Sequence, residues 1–198
     1  MKKMLVLLFL FALAWESKGQ CGPVYYIGAE NYRSKGQYEL ALKEINKGIK
    51  YEQDNFANYY VKALIHLDMN DLDSALIVVD KSISLNPEFI GVYVLKSRIC
   101  QQKGNLDSAA IFIEKAYLLK PDDVNLMKSA GIILCKANRL NDGIIYLEMY
   151  VERKPKDYEG YHILSIAYKR QGNMDKALEY RNLYLKAKHK GKPMPAGR

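Results

Sequence analysis

The sequence has little cysteine, and none of it is spaced for a metal site. Its 198 residues include only three cysteines, Cys21, Cys100 and Cys135. They form no C-x-x-C pair, and none stands near a histidine at the spacing that zinc sites use. An odd, widely separated set also argues against a disulfide framework. We therefore expect Cys100 and Cys135 to be small buried side chains, and we expect neither a metal nor another cofactor.

Groups suited to acid–base catalysis are similarly scarce. The candidates are the three histidines and two pairs of aspartates: His66, His162, His189, Asp71 with Asp73, and Asp122 with Asp123. Acidic residues at turns cap helices far more often than they exchange protons with a substrate, and we assign His66 to core packing. None of these residues belongs to a recognisable nucleophile–base pair. The sequence therefore predicts that the protein is not an enzyme.

Long apolar runs are absent except at the start of the chain. The segment MKKMLVLLFLFALAW places Lys2 and Lys3 before its apolar residues. This is the order of a secretory signal, and the run is shorter than the ~20 residues of a transmembrane helix. We interpret residues 1–19 as a signal peptide, so that the mature protein is exported and is either periplasmic or secreted.

Two alternatives to a cleaved signal remain open. The segment could stay attached as an N-terminal anchor. Alternatively, lipidation of Cys21 would attach the protein to a membrane, although Lys18 and Gln20 fit the lipoprotein pattern poorly.

Acidic residues are missing from the end of the chain. The net charge is +8, and no Asp or Glu follows Glu179. Six basic residues do follow it, namely Arg181, Lys186, Lys188, Lys190, Lys192 and Arg198. We interpret residues 192–198 as a disordered, solvated basic tail. Because export is expected, we expect no nucleic-acid ligand for this tail.

What the sequence does contain is a repeat of 34 residues. Aligned from Gly22, the chain fills five repeats without gaps: 22–55, 56–89, 90–123, 124–157 and 158–191. Position fifteen is always Gly or Asn, the residues that most readily adopt the left-handed conformation that ends a helix: Gly36, Asn70, Gly104, Asn138 and Gly172. Near the ends of three repeats, Pro87, Pro121 and Pro155 prevent a second helix from continuing. Each repeat is therefore predicted to be a helix, a tight turn and a second helix.

The residues after the turn predict how the second helix begins. Position eighteen holds residues that are mostly good N-caps: Glu39, Asp73, Asp107, Asn141 and Asp175. The preceding apolar residues Leu72, Leu106, Leu140 and Met174 are then expected to pack as a hydrophobic staple. Their expected partners in the first turn are Ile77, Ile111 and Ile145.

Aromatic and small residues recur in the same register. Position four holds Tyr25, Tyr59, Tyr93, Met127 and Tyr161; position eight holds Ala29, Ala63, Ser97, Gly131 and Ser165; position twenty holds Ala41, Ala75, Ala109, Gly143 and Ala177. With a period of 34, this pattern resembles the tetratricopeptide repeat family. The resemblance implies an all-α fold, a right-handed α-solenoid of five helix-turn-helix repeats over residues 22–191. Met127 and Gly143 depart from the pattern, and we expect a looser fourth repeat.

Position twenty-four distinguishes the last repeat from the others. It holds Ile45, Val79, Ile113 and Leu147 in the first four repeats and Arg181 in the fifth. Repeats stacked side by side bury each other's apolar faces, whereas a terminal repeat needs a polar outer face. We therefore expect the last helix to face solvent at Arg181.

The resemblance also implies a function. In this family the first helix of each repeat lines a concave groove that binds partner proteins. The matching positions here include Tyr26, Glu30, Arg33, Tyr60, Leu64, Val94, Arg98, Gln101, Lys128, Ile132, His162, Ile166 and Lys169. Apolar and basic side chains in this mixture suit a peptide or helix with apolar anchors and some negative charge. The terminal-carboxylate clamp of chaperone-docking members is absent from the corresponding positions.

Two functions are consistent with these residues. The first is an exported, non-catalytic scaffold or adaptor that binds a segment of another protein, whose identity the sequence does not give. The alternative is a structural module that associates with its own copies through the ends of the solenoid.

Overall fold

The structure, a computed structural model, describes residues 22–189, and these form α-helices joined by short turns without any β-strand. The helices of this range are α1 Gly22–Ser34, α2 Tyr38–Tyr51, α3 Phe56–Asp68, α4 Leu72–Leu85, α5 Ile90–Gln102, α6 Leu106–Leu119, α7 Val124–Lys136, α8 Leu140–Arg153, α9 Tyr158–Gln171 and α10 Met174–His189. They follow the five predicted repeats two by two, which confirms the all-α helix-turn-helix architecture. The expected signal peptide (1–19), Cys21 and the expected tail (192–198) lie outside the described residues.

The chain divides into two compact units, residues 1–95 and 96–198. The described part of unit 1 contains α1 to α4 and the first half of α5. Unit 2 contains the second half of α5 and the helices α6 to α10.

The predicted turns are confirmed in all five repeats. Position fifteen has a positive φ throughout, from 60° at Asn70 to 91° at Gly172. The backbone N–H of position sixteen then donates to the C=O of position eleven, as from Gln37 to Tyr32 and from Asp71 to His66 at 2.9 Å. This bond satisfies a carbonyl that the helix end leaves without a partner. A single left-handed residue therefore reverses the chain and starts the second helix two residues later.

The prediction of N-caps at position eighteen is wrong, because the capping residue stands two positions earlier. Asp71 accepts a hydrogen bond from Ser74 N at 3.2 Å, and Asn105 accepts one from Ser108 N at 3.0 Å. Asn173 accepts one from Lys176 N at 3.1 Å. The position-eighteen acids lie inside the first helical turn instead, where a negative charge still suits the helix dipole: Glu39, Asp73, Asp107 and Asp175.

The predicted hydrophobic staple is also wrong. Leu72 is the first residue of α4 rather than the residue before its cap. Five residues of α-helix turn the side chain by about 140° relative to the starting residue, so Ile77 lies on another side. The isoleucines at this position are 73%, 59% and 57% exposed at Ile77, Ile111 and Ile145.

The core of unit 1 joins its first two repeats. Ala29 of α1, Ala41 and Ile45 of α2, and Val61 and Ile65 of α3 are almost fully buried in one cluster. The small residues at positions eight and twenty let α1 and α2 approach closely, as the sequence predicted.

The fourth repeat is tightly packed, not looser as expected. Met127 is fully buried in the main cluster of unit 2. A β-carbon on Gly143 would lie 2.5 Å from Cys135 Sγ and 2.8 Å from Gly131 O. The glycine therefore allows close approach of α7 and α8 rather than leaving a gap. Cys100 and Cys135 are buried and neither forms a disulfide, as predicted.

Candidate functional site

The first helices of the repeats carry the residues predicted to bind a partner, and within each unit we call the side that carries these residues the first-helix face. In unit 1 it is formed by α1, α3 and the start of α5, with Tyr26, Glu30, Arg33, Tyr60, Leu64 and Val94. In unit 2 it is formed by the end of α5, α7 and α9, with Arg98, Gln101, Lys128, Ile132, His162, Ile166 and Lys169.

The charges of this face in unit 1 are paired with one another. Arg33 donates to Glu30 from two guanidinium nitrogens, at 2.8 and 2.5 Å, and it also donates to Asp68 of α3. The hydrogen bond from Arg33 holds the pKa of Glu30 below its ordinary value, and the bonds to Glu30 and then Asp68 hold the pKa of Arg33 above its own. Arg33 therefore joins α1 to α3 and offers little uncompensated charge to a ligand.

The apolar members of unit 1 are only partly available. The Tyr60 ring is half-buried and meets Phe89 edge-on, with ring centroids 5.2 Å apart. Leu64 is also half-buried, whereas Tyr26 and Val94 are exposed. Tyr26 and Val94 are therefore the more accessible apolar side chains of this face in unit 1.

In unit 2, Lys128 is not the free cation that the sequence suggested. Its ammonium donates to Asp157 at 3.0 Å and to Glu159 at 3.2 Å, and it lies 5.3 Å from the centre of the Tyr150 ring. Burial lowers the pKa of Lys128, but the bonds to these two carboxylates outweigh burial and raise it above its ordinary value. Lys128 therefore ties α7 to the start of α9.

His162, which was predicted to line the groove, is exposed and has an aromatic neighbour. Its ring packs on Tyr184 of α10, with centroids 4.8 Å apart. Tyr158 contacts the same tyrosine at 6.1 Å. His162 thus belongs to an aromatic group between α9 and the end of α10.

The structure brings Ile132 and Ile166 together in one pocket between α7 and α9. The pocket has a volume of about 250 Å³ and is mostly apolar, and its lining consists of Ile132, Cys135, Lys136, Ile163, Ile166, Ala167 and Arg170. Two of these residues were predicted from their repeat positions. Ile163, Ala167 and Lys136 were not, although positions six and thirteen also belong to the groove of the resembled family.

Cys135 and Arg170 hold the two walls of this pocket together. Arg170 donates to the backbone oxygen of Cys135 at 2.9 Å, which links α9 to α7. Burial raises the pKa of the Cys135 thiol, and the Arg170 charge only partly opposes this effect. The thiol is therefore mostly protonated near neutral pH and contributes apolar surface to the wall of the pocket.

Two basic groups lie close to the pocket: Lys136 lines it, and Lys169 follows the lining residue Ile166 by three positions, about one helical turn, on α9. Lys136 and Lys169 are both exposed, and neither makes an ion pair with another residue of the range 22–189. No acidic side chain lines the pocket. The site can therefore accept a small aliphatic group and place a nearby negative charge beside two ammonium groups.

Two of the residues that were considered for acid–base catalysis, His66 and Asp71, make structural contacts instead. His66 Nδ1 lies 3.1 Å from Asp71 Oδ2, and Asp71 caps α4. Hydrogen bonds from Ser74 and then His66 hold the pKa of Asp71 below its ordinary value. Across residues 22–189, no three His, Cys, Asp or Glu side chains are grouped to hold a metal ion. No helix of the same range is long and apolar enough to cross a membrane.

Comparison with known sequences identifies the central repeats. A sequence model of the family "Tetratricopeptide repeat" matches residues 56–89 and 90–123, which are the second and third repeats in the predicted register. No curated protein matches the sequence significantly.

Comparison with solved structures identifies the fold. The crystal structure of MamA protein matches with a TM-score of 0.77 at 18% identity, covering 91% of this chain and 99% of that one. MamA 41-end from Desulfovibrio magneticus RS-1 matches with a TM-score of 0.77 at 17% identity, covering 88% and 98%. YrrB, a TPR protein with an unusual peptide-binding site, matches with a TM-score of 0.73 at 17% identity, covering 89% and 91%. The second and third repeats thus match the tetratricopeptide repeat model, and the fold class of the described residues is the all-α solenoid that the sequence predicted.

Proposed function

We propose that this protein is a non-catalytic scaffold that binds a segment of a partner protein on its first-helix face. The observation that carries the proposal is the pocket between α7 and α9, where Ile132 and Ile166 meet on that face. YrrB, which has a similar fold, has a peptide-binding site, and this supports the same use of the fold here.

The pocket favours a particular kind of segment. Its volume of about 250 Å³ lies just below the range of roughly 300–1,000 Å³ typical of sites for drug-sized ligands. It therefore suits one or two aliphatic side chains of a peptide better than a separate small molecule. Lys136, which lines the pocket, and Lys169, one helical turn after Ile166, favour an acidic residue beside that anchor, because opposite charges attract each other.

Selection from a library of random peptides displayed on phage would test this function. We expect the protein to enrich sequences in which a Leu, Ile or Val stands near an Asp or Glu. An Ile166→Asp variant should lose the enrichment, because it places a charge in the pocket. The matched control is Ile145→Asp on α8, whose side chain is 57% exposed and lies outside the pocket.

Three outcomes decide between the possibilities. Loss of enrichment with Ile166→Asp alone supports the proposal, and a shift toward basic peptides with Lys136→Glu/Lys169→Glu supports the role of the two lysines. Enrichment that both isoleucine variants retain would place binding elsewhere and contradict the site. No enrichment above an unrelated protein would contradict peptide binding itself.

Cys135 offers a direct reporter of occupancy. A selected peptide should slow alkylation of Cys135 by iodoacetamide, measured by mass spectrometry, because the thiol lines the pocket. Cys100 is similarly buried but lies outside the pocket, and its alkylation should stay unchanged. Equal protection of both thiols would indicate general stabilisation rather than binding at this site.

We also propose that the protein is exported to the cell envelope, as periplasmic or secreted protein. Lys2 and Lys3 before an apolar run support this localisation. N-terminal sequencing of the protein from an envelope fraction is expected to start at Gln20. A chain that starts at Met1 and stays in the cytoplasmic fraction would contradict export, and incorporation of labelled palmitate at Cys21 would replace free secretion by a lipid anchor.

A further inference from the structure

Within unit 1, one type of contact joins successive repeats. Ile45, at position twenty-four of α2, is buried in one cluster with Val61 and Ile65, which are positions six and ten of α3. The second helix of one repeat thus packs against the first helix of the next in a fixed register.

Unit 2 shows the same contact between its fourth and fifth repeats. Positions twenty-one, twenty-four and twenty-eight of α8 are Ile144, Leu147 and Val151, and they are only 4%, 0% and 6% exposed. They share a cluster with Ala167 at position ten of α9, and Ile163 at position six packs against that cluster. The contacts α2–α3 and α8–α9 therefore show independently which positions are buried together where the second helix of one repeat meets the first helix of the next.

The last described helix presents the same three positions without a following helix among the described residues. Leu178 and Leu185 of α10 are 57% and 39% exposed, and Arg181 between them is exposed as expected. The side chain of Arg181 forms no ion pair or hydrogen bond with another residue of the range 22–189. We call Leu178, Arg181 and Leu185 the α10 face.

The first described helix presents the other half of the contact. Positions six and ten of α1 are Ile27, which is 63% exposed, and Asn31, which is also exposed. The second repeat buries Val61 and Ile65 at these positions. The side chain of Asn31 forms no hydrogen bond with another described residue. We call Ile27 and Asn31 the α1 face.

We propose that the α10 face of one copy binds the α1 face of a second copy. In the register of the contacts within each unit, Ile27 would lie between Leu178 and Leu185. Arg181 would then lie near Asn31, because positions twenty-four and ten share one buried cluster in each unit. A guanidinium donates hydrogen bonds and an amide oxygen accepts them, so the two polar exceptions to the apolar register are complementary.

This contact uses the α1 and α10 faces rather than the pocket between α7 and α9, and therefore goes beyond the proposed function. It joins two different surfaces, so each added copy leaves one free face of each kind, and association would be open-ended. Copies joined in this way would present several peptide-binding pockets, which raises the affinity for a partner with repeated segments.

Sedimentation velocity over a concentration series of the full chain tests the proposal. We expect the average mass to rise steadily with concentration. Leu178→Glu and Ile27→Glu, each alone, should weaken association by roughly tenfold or more, because each removes apolar burial and adds a charge. Ile145→Glu is the control, since its exposed side chain lies on neither face, and it should associate like the unchanged protein. All variants and the unchanged protein are compared in the same N-terminal form, so differences between them report the two faces.

Mixing the two variants distinguishes this geometry from a symmetric one. Leu178→Glu keeps an intact α1 face and Ile27→Glu keeps an intact α10 face, so an equimolar mixture should form dimers and stop there. Asn31→Asp should tighten association about threefold at low salt by giving Arg181 a carboxylate. A monomer at all concentrations would overturn the proposal. Association that Ile27→Glu leaves intact, or a mixture that stays monomeric while the unchanged protein associates, would overturn it as well.

Discussion

Gly131 of α7 and Gly143 of α8 approach each other without side chains between them. A β-carbon on Gly131 would lie 3.0 Å from Gly143 O, and one on Gly143 would lie 2.8 Å from Gly131 O. Backbone atoms cannot move aside as the end of a flexible side chain can. The two helices of the fourth repeat are therefore separated by little more than their own backbones.

We predict that Gly143→Ala destabilises the protein despite the better helix propensity of alanine. Alanine favours a helix by up to ~1 kcal/mol relative to glycine. Overpacking a tight contact costs about 1–3 kcal/mol, and here the new methyl group would meet both Cys135 Sγ and a backbone oxygen. Urea unfolding followed by circular dichroism should show a lower free energy of unfolding.

Gly28→Ala is the matched control for this effect. Its β-carbon would meet only the Glu44 side chain, at 3.1 Å, and that side chain can move. The free energy of unfolding should stay unchanged or rise slightly. A stabilising effect of Gly143→Ala would mean that α7 and α8 are not in close contact.

Asp157 combines two stabilising roles at the start of α9. It caps the helix by accepting from Glu159 N at 3.0 Å, and it accepts hydrogen bonds from Tyr150 and Lys128. Burial raises its pKa, but the bonds from Tyr150 and Lys128 outweigh burial and hold the pKa below its ordinary value. We predict that Asp157→Asn lowers the free energy of unfolding at pH 7 by about 1–3 kcal/mol, because it removes charged hydrogen bonds.

The lowered pKa of Asp157 also predicts how the stability difference between Asp157→Asn and the unchanged protein depends on pH. A carboxyl group whose pKa is lower in the folded state stabilises the protein above the unfolded pKa of about 3.9, and this contribution disappears as the pH falls through the folded pKa. The difference between Asp157→Asn and the unchanged protein should therefore shrink below about pH 4. Asp122→Asn is the control, because Asp122 is almost fully exposed and contacts only Arg153, at 3.3 Å. A constant difference at all pH values would mean that the charge of Asp157 is not involved.

Two tyrosines share one carboxylate oxygen in unit 2. Tyr168 and Tyr180 donate to Glu148 Oε1 at 2.6 and 3.1 Å, and their rings stack with centroids 5.5 Å apart. Burial, followed by the Glu148 charge, raises the pKa of Tyr168 to about 12 and raises the pKa of Tyr180 as well. The folded state therefore holds both phenol protons more tightly than the unfolded state.

We predict that these tyrosines make the protein sensitive to alkali. A group whose pKa is raised on folding stabilises the protein fully below the unfolded pKa of about 10, and this stabilisation is lost as the pH rises through the folded pKa. The free energy of unfolding should fall between about pH 10 and pH 12, and Tyr168→Phe/Tyr180→Phe should make that fall shallower. Tyr51→Phe, at an exposed tyrosine, should leave it unchanged. An equally steep fall in the double variant would show that other groups cause it.

The features that were predicted most accurately from the sequence are those that a single residue determines. A left-handed residue at position fifteen sets the turn by itself, so Asn70 and Gly104 were placed correctly. The capping position was missed by two residues because the length of the turn depends on hydrogen bonds that residue types alone do not specify. Gly143 was misread because the sequence shows a missing side chain but does not show that Cys135 and the facing backbone fill the space.

The same limit applies to the candidate site. Ile132 and Ile166 follow from the repeat register, and the structure places both in the pocket. Lys128 follows from the same register, but it is neutralised by Asp157, at the end of its own repeat, and by Glu159, in the next repeat. Repeat positions therefore predict which side chains share a face, whereas the charge left available depends on contacts between repeats.

At Gly104, one of the left-handed turn residues, the effect of a substitution on backbone conformation can be measured without an effect on packing. A β-carbon on Gly104, where φ is 78°, would have no atom within 4 Å, so a change there acts only through the backbone. We predict that Gly104→Ala lowers the free energy of unfolding by about 1–2 kcal/mol, the cost of a left-handed conformation for an L-residue with a β-carbon. Gly104→Asn should lose less, because Asn70 and Asn138 adopt the same conformation, with φ of 60° and 63°. Gln102→Ala, in the preceding helix, is the control and should change stability little. Equal losses for Ala and Asn at position 104 would mean that the turn does not need a residue that tolerates positive φ, and the explanation of the repeat register would then be wrong.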